Sequence, residues 1–440
     1  MHVFVLFVST LNGFELKKEG CSPMSLASRL IRLMLVFLAV LSMAPTAGHA
    51  AEVNGIWTES STKDLGEWTG VDWFKKIKVR GWLESYFVHN FNVPSQTTVN
   101  ANVGSSIVKS HNITVEGRTF DIHSDKFRIA LAEVELEKVP TLGEWYGAGF
   151  KLDVNWGDTP EIIYDTIQGA IGRGTVTAAD KWIQHATVGW VAPIGKGLRL
   201  DAGKFVTHIG GETIEGIKNN NLSHGFLYTY AIPFQDTGFR INYPWSDKLY
   251  TEVYVLRGWN VTTRDNNQSW TAGPSIGWTP NAWFNFYLNY LVGPEQLSNN
   301  GNLRHLVDSQ LFLNTPIPKL NVLLFGDIGF EENAIAGNTK DALWHGLGGV
   351  VRYQVTDHIE PVLRLEYMND EDGFTTGINQ RLYGVTFTLN YKMPLYKGFN
   401  VLIRPEYRFD KSSEGFFTRA NGFQSKTTQH TVGVGTYIYF

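Results

Sequence analysis

The final twelve residues constrain this chain more than any other stretch. They run Gln429-His430-Thr431-Val432-Gly433-Val434-Gly435-Thr436-Tyr437-Ile438-Tyr439-Phe440. Counted back in twos, Phe440, Ile438, Thr436, Val434 and Val432 fall on one face, and Tyr439, Tyr437, Gly435, Gly433 and Thr431 on the other. A period of two is the signature of a β-strand. One face is apolar and the other is small or polar, and the pattern persists to an aromatic last residue. Chain ends of soluble domains usually fray instead.

This ending resembles that of bacterial outer-membrane β-barrels. The resemblance implies a last strand that closes a barrel against the first, with Phe440 as an assembly signal. It also implies a signal peptide, alternating segments of about ten residues, and short turns that alternate with long loops. Composition agrees. Aromatics make up 13% of 440 residues, there are 44 glycines, and mean hydropathy is only −0.15. After residue 50 no apolar run reaches the ~18 residues that a membrane-crossing helix needs. A formal charge of −4 argues against a nucleic-acid partner.

The first fifty residues read as targeting sequence. Arg29 and Arg32 precede a short apolar stretch from Leu33 to Met43, and Ala47-Gly48-His49-Ala50 offers small residues for cleavage after Ala50. A membrane anchor is the competing reading, but the apolar stretch is too short to span. Met24 is an alternative start. The only cysteine, Cys21, lies in this region, so the mature chain holds neither disulfide nor thiol chemistry. It keeps 34 basic against 40 acidic residues, a formal −6. Residues 51–74 are a periplasmic tail or a small lumen insert, and 75–440 is the barrel.

Along the barrel region, Tyr146, Ala148, Phe150, Leu152, Val154 and Trp156 alternate with Gly147, Gly149, Lys151, Asp153 and Asn155. Apolar outside and polar inside inverts a soluble barrel, and aromatics at both ends suit a membrane interface. Ten residues at ~3.3 Å rise and ~40° tilt cover roughly 25 Å, the height of a lipid-facing band. The pattern returns at Tyr383–Tyr391 and Phe399–Phe409. In the first strand Lys78, Arg80, Trp82, Glu84 and Tyr86 share a face, and the second slips phase near Leu131 to Glu133, which predicts a bulge. Short connections rich in Pro, Gly, Asn and Asp alternate with long ones at 92–125, 157–181, 207–235, 259–269, 294–304, 332–341, 370–380 and 411–428. This predicts an all-β transmembrane antiparallel barrel of about sixteen strands, with short turns periplasmic and long loops outside. Fourteen is an alternative, and eighteen becomes the count if Gly225 to Ile232 forms strand.

Between Arg118 and Gly238 the chain resembles the OmpL-like β-barrel porin family, porin-2 type. The motifs are Arg118-Thr-Phe-Asp121, Ala132-Glu-Val-Glu-Leu-Glu-Lys138, Asp201-Ala-Gly-Lys-Phe205, Ile209-Gly-Gly-Glu212 and Asn219-Asn-Asn-Leu-Ser-His224. The resemblance implies an outer-membrane channel and names no substrate. It also implies an arginine where this chain has His224.

Two sets of residues are candidates for the channel's narrowest part. The third long loop, 207–235, carries Glu212, Glu215 and Lys218 among glycines and asparagines, just after Lys204. Folded inward it forms a constriction; left outside it is an ordinary surface loop. The second set is the wall. Arg364-Leu-Glu366-Tyr367 recurs as Arg404-Pro-Glu406-Tyr407, with Arg408 beyond, and Arg80 and Glu84 sit on the first strand. Residues two apart share a face, and the two rows, one strand apart, lie roughly 10 Å from each other. Such charges either select ions in a wet lumen or knit the wall together.

Catalytic readings find little support. Ser223-His224 and His123-Ser124 are adjacent rather than two apart, and no His-x-His or His-Glu-x-x-His spacing suggests a metal. The acidic run Asn369 to Gly373 lacks calcium-loop spacing. The sequence therefore predicts a non-enzymatic porin without cofactor or metal, integral to a Gram-negative outer membrane. Its partners are membrane lipid and lipopolysaccharide, the barrel-assembly machinery, small hydrophilic solutes and, compatibly, two further copies in a homotrimer. A non-conducting adhesin or structural barrel is the chief rival, and a barrel-wall enzyme the third reading.

Overall fold

Every segment with two-residue alternation finds a strand on each side. The computed structural model describes residues 63–65, 69, 74–94, 101–103, 106–108, 113–171, 180–263, 265–335, 337, 339–395, 398–420 and 424–440. The expected signal peptide, Cys21 and most of the 51–74 tail lie outside these residues.

The barrel strands are β1 (Lys78–Asn90), β2 (Phe127–Lys138), β3 (Ala148–Trp156), β4 (Ile183–Ala192), β5 (Leu198–Val206), β6 (Gln235–Ser246), β7 (Leu249–Leu256) and β8 (Thr271–Asn281). They continue as β9 (Phe284–Pro294), β10 (Leu303–Asn314), β11 (Leu320–Ile335), β12 (Lys340–Tyr353), β13 (Ile359–Asp370), β14 (Gln380–Pro394), β15 (Asn400–Ser412) and β16 (Thr428–Tyr439). Each pairs antiparallel with its sequence neighbours. β16 then closes on β1, from Trp82 opposite Tyr439 to Asn90 opposite Thr431. Closure leaves no bare edge, the condition for a sheet to sit in lipid. Sixteen strands is thus the count, and fourteen and eighteen fall away. Lys63–Asp64 adds a two-residue pairing to the start of β1.

The predicted bulge is at Ala130: Glu84 faces Leu131 and Ser85 faces Ile129, so one residue of β2 has no opposite. The outer face is apolar, with Val134, Val154, Val188, Ile241, Val253, Val385, Phe387 and Val434 exposed and Trp156, Trp190 and Trp245 towards strand ends. The inner face departs from expectation. Along the short-turn half it is polar, but towards the long loops Tyr254, Leu256, Leu291, Leu306, Trp344, Met368 and Leu382 point inward and are buried. Something apolar must lie against them.

Candidate functional site

That partner is the connection between β5 and β6. Thr207 N–H donates to Phe234 C=O at 3.0 Å and closes the neck of the loop. Beyond the neck the chain crosses the barrel interior. Ile209, Ile214, Ile217, Leu222, Phe226, Leu227, Ile232 and Phe234 are all at most 8% exposed. Gly210, in the left-handed region at φ +92°, turns the chain inward. A 3-10 turn at Gly216–Lys218 and a short helix α1 (Phe226–Tyr230) follow.

The helix corrects the alternative strand reading of 225–232. β5 and β6 pair directly with each other, Lys204 opposite Thr237, so no sheet edge is open to a further strand. The segment instead bonds within itself, Thr229 N–H to Gly225 C=O at 3.0 Å and Ala231 N–H to Leu227 C=O at 2.8 Å. Buried backbone must be satisfied somewhere. Around the helix, Phe226 and Leu227 join the apolar cluster of Trp344, Met368 and Leu382, and Trp344 Nε1 donates to Ala231 C=O at 3.2 Å.

The other half of the loop is held by charge. Glu84 accepts the N–H groups of Gly216 (3.1 Å) and Ile217 (2.8 Å). A Cβ at position 216 would stand 2.7 Å from that carboxylate, so only glycine admits this approach. Glu406 accepts Leu222 N–H at 2.7 Å, Ser223 N–H at 3.2 Å and Ser223 Oγ–H at 2.5 Å. Arg404 donates to three loop carbonyls, Gly216 (2.8 Å), Asn221 (2.9 Å) and Asn219 (2.7 Å). Arg364 donates to Ser223 C=O (2.5 Å) and pairs with Glu212 (2.6 Å) and Glu366 (2.9 Å). Arg408 donates to His224 C=O and pairs with Asp410, both at 2.6 Å. Glu212 also takes Gly225 N–H at 2.7 Å.

The inner-wall charges therefore divide. Arg364, Arg404 and Arg408 have no exposed side-chain surface, and Glu84, Glu366 and Glu406 are buried with them. Of the two roles left open by the sequence, knitting prevails: all but Glu366, which pairs with Arg364, bond loop backbone, because a loop inside a barrel brings unpaired N–H and C=O groups that need partners. Lys204 likewise turns away from the lumen: its ammonium donates to the carbonyls of Asp180 and Ile183. Arg80 and Lys218 stay partly exposed, near Glu135. Lys218 also pairs with Glu215 at 3.0 Å. Burial alone would raise the Glu215 carboxyl, but Lys218 and Lys151 outweigh it and hold the group down at about 2.

Some supporting residues escaped the sequence reading. In the first long loop Arg118 reaches Thr431 at 2.7 Å and Asp121 at 3.0 Å, Thr119 meets Thr229 at 2.6 Å, and Phe120 packs edge-on against His224. This loop caps the inserted one. Its Arg118-Thr-Phe-Asp121 motif was visible in sequence, but its partner was not. Burial pushes His224 down to about 4, so it sits there neutral, as acceptor or donor beside Asn219 and Thr213 C=O. The acidic run at 369–373 is internally used. Asp370 accepts the N–H groups of Phe374, Thr375 and Thr376, and Asp372 pairs with Lys340.

Both the sequence and the closed barrel fold have relatives among known proteins. The family described as "Putative beta-barrel porin-2, OmpL-like" covers residues 76–440. The chain belongs to this porin family. It is accordingly an integral outer-membrane barrel of the passive channel type, with the long loops outside and the short turns periplasmic. No curated protein matches the sequence. Among solved structures, OprB of Pseudomonas putida is similar at 11% identity and TM-score 0.51, over 87% of this chain and 100% of that one. OmpF of Salmonella typhi is similar at 12% and 0.50, over 83% and 98%. An anion-selective porin of Comamonas acidovorans is similar at 11% and 0.48, over 83% and 99%. These likenesses concern the fold.

Proposed function

We propose that this porin passes small hydrophilic solutes and ions by diffusion, and that its third loop sets the narrowest point. The observation that carries the reading is the loop itself, fixed across the interior by Glu84, Arg364, Arg404, Glu406 and Arg408. An apolar packed helix fills part of the long-loop half, which makes the route narrow and off-centre. Charges that retain exposure lie on the opposite, periplasmic-side wall and, in Lys218, on the loop that faces it. Arg80, Lys151, Lys218, Arg199 and Arg240 keep 21–30% of their side-chain surface, whereas Glu135, Asp153, Glu215 and Asp201 behind them keep at most 4%, with Glu137 beside Arg80 the exception at 23%. A solute would meet the cations before the carboxylates.

We read the molecule as non-catalytic. Ser223 and His224, the adjacent pair singled out in sequence, serve loop backbone and Glu406 rather than an accessible site. A homotrimer, with lipid and lipopolysaccharide around it, is the assembly we propose; cross-linking in detergent distinguishes it from a monomer. The rival, a non-conducting barrel, is favoured by the amount of apolar packing inside. Planar-bilayer recording of purified protein decides between them. Stepwise ohmic conductance is expected, and Arg240→Glu should shift the reversal potential towards cations. Absence of steps would support the sealed barrel, and an unmoved reversal potential would remove the exposed cations from the filter.

A further inference from the structure

One cluster of inner-wall charges is left unexplained by loop anchoring. Glu133 on β2 and Asp153 on β3 are near neighbours on the inner face, since Glu133 lies opposite Asn155 and Glu135 opposite Asp153. Glu215 of the inserted loop comes down beside them. One carboxylate oxygen from each of the three lies within 4.8 Å of the other two. Their exposures are 2%, 0% and 3%. Among the described residues neither oxygen of Glu133 nor of Asp153 has a hydrogen-bond partner, and the nearest cation to the latter, Lys151, stands 3.5 Å away. Glu215 is oriented from outside the cluster by Gln184 Nε2 at 2.9 Å and Lys218 at 3.0 Å.

The charges around the cluster do not balance. Arg80 pairs with Glu135 and Glu137, Lys151 with Glu135 (3.2 Å) and Asp153 (3.5 Å), and Lys218 with Glu135 (3.2 Å) and Glu215 (3.0 Å). His185, opposite Asp153 on β4, hydrogen-bonds Thr187 and is half-buried. Among the described residues three cations thus serve these five carboxylates, and the two charges left over fall on the group with orphaned oxygens. Burying an unpaired carboxylate costs several kcal/mol, so a doubly charged partner fits the deficit. Carboxylate oxygens select a hard cation. Oxygens within 4.8 Å of one another are close enough to share one ion, and three buried carboxylates suit calcium, which accepts an irregular set of protein oxygens, better than magnesium, which usually keeps several waters.

We propose that Glu133, Asp153 and Glu215 bind one calcium ion, which ties the inserted loop to the β2–β3 wall. No sequence spacing announces such a site, because its ligands come from two strands and a loop. The test uses full-length protein refolded in detergent without lipopolysaccharide and stripped of divalent ions. Calorimetric titration with calcium chloride should show one site per chain. In Glu133→Gln, which keeps the shape and removes one charge, affinity should fall at least ~10-fold; Asp372→Asn, in the external acidic run, should bind as wild type. Hydrogen exchange of wild-type residues 213–218 should slow when calcium is added, a readout that needs no variant to fold. Absence of binding, equal binding by Glu133→Gln, or calcium-independent exchange at 213–218 would overturn the proposal. None of these measurements involves transport, so their failure leaves the channel reading untouched.

Discussion

Arg404 shows what a charge on the inner wall does in this barrel. Its guanidinium, at 0% exposure, donates to three carbonyls of one loop and to Asn390 Oδ1 at 2.6 Å, while lying 4.7 Å from the Tyr437 ring centre. A fork of five fixed donors suits this task where a lysine would not. Replacing it with methionine keeps the bulk and strands three buried carbonyls and Glu84 nearby. Removing one partner of a buried ionic network typically costs about 3–5 kcal/mol. Arg404→Met should therefore loosen the loop rather than unfold the barrel. Trypsin should then cut at Lys218 in intact, heat-modifiable protein, and continued resistance there would contradict the anchoring role. At this scale the sequence was only half legible. The Arg-x-Glu repeat on β13 and β15 put four side chains on one face of the sheet, the face that meets the inserted loop. It could not show whether they meet water or a folded loop, because that depends on a segment some 140–190 residues away.

At the scale of elements, the strands were readable because lipid on one side enforces strict alternation. The exceptions carry the information. Leu291, Leu306, Trp344, Met368 and Leu382 blur the inner pattern of their strands, and they are the wall of the pocket that receives α1. The helix was ambiguous because Phe226-Leu-Tyr-Thr-Tyr230 has strand-like residues, and closure of β5 on β6 overrode that preference. Docking of this loop should depend on pH. Burial holds His224 near 4 against about 6.5 when unfolded, while Lys218 and Lys151, against the effect of burial, hold Glu215 near 2 against about 4.5. Both folded values are depressed, so the undocked loop binds more protons. The stabilisation is fully present above the unfolded values. It falls away first between about 6.5 and 4 as His224 is forced to charge, then further between about 4.5 and 2. Hydrogen exchange at 213–230 should accelerate from pH 7 to pH 4 beyond the intrinsic chemical trend, while strand amides stay protected. A pH-independent protection ratio would contradict the assignment.

For the whole molecule, the last residue completes the closure. Gly81 and Phe440 exchange two backbone hydrogen bonds, at 3.3 and 3.0 Å, and the Phe440 ring covers Gly81, where a Cβ would stand 2.5 Å away, and meets Phe399 at 5.4 Å. The inner faces across this seam are Tyr437 and Tyr439 against Trp82 and Glu84, with Ile217 of the inserted loop packed on them. The inserted loop thus bridges the inner faces of β16 and β1. Deleting Phe440 should lower the yield of heat-modifiable, membrane-inserted protein several-fold without altering the conductance of the channels that do form; normal insertion would separate Phe440 from assembly. The central claim, that a loop held by buried wall charges sets the passage through this porin, is tested most directly by single-channel conductance of a variant in which residues 212–222 are replaced by a short Gly-Ser bridge. Heat-modifiable mobility first establishes that the barrel has closed. Conductance should then rise at least ~2-fold over wild type, as expected when a constriction is removed, and an unchanged value would contradict the account.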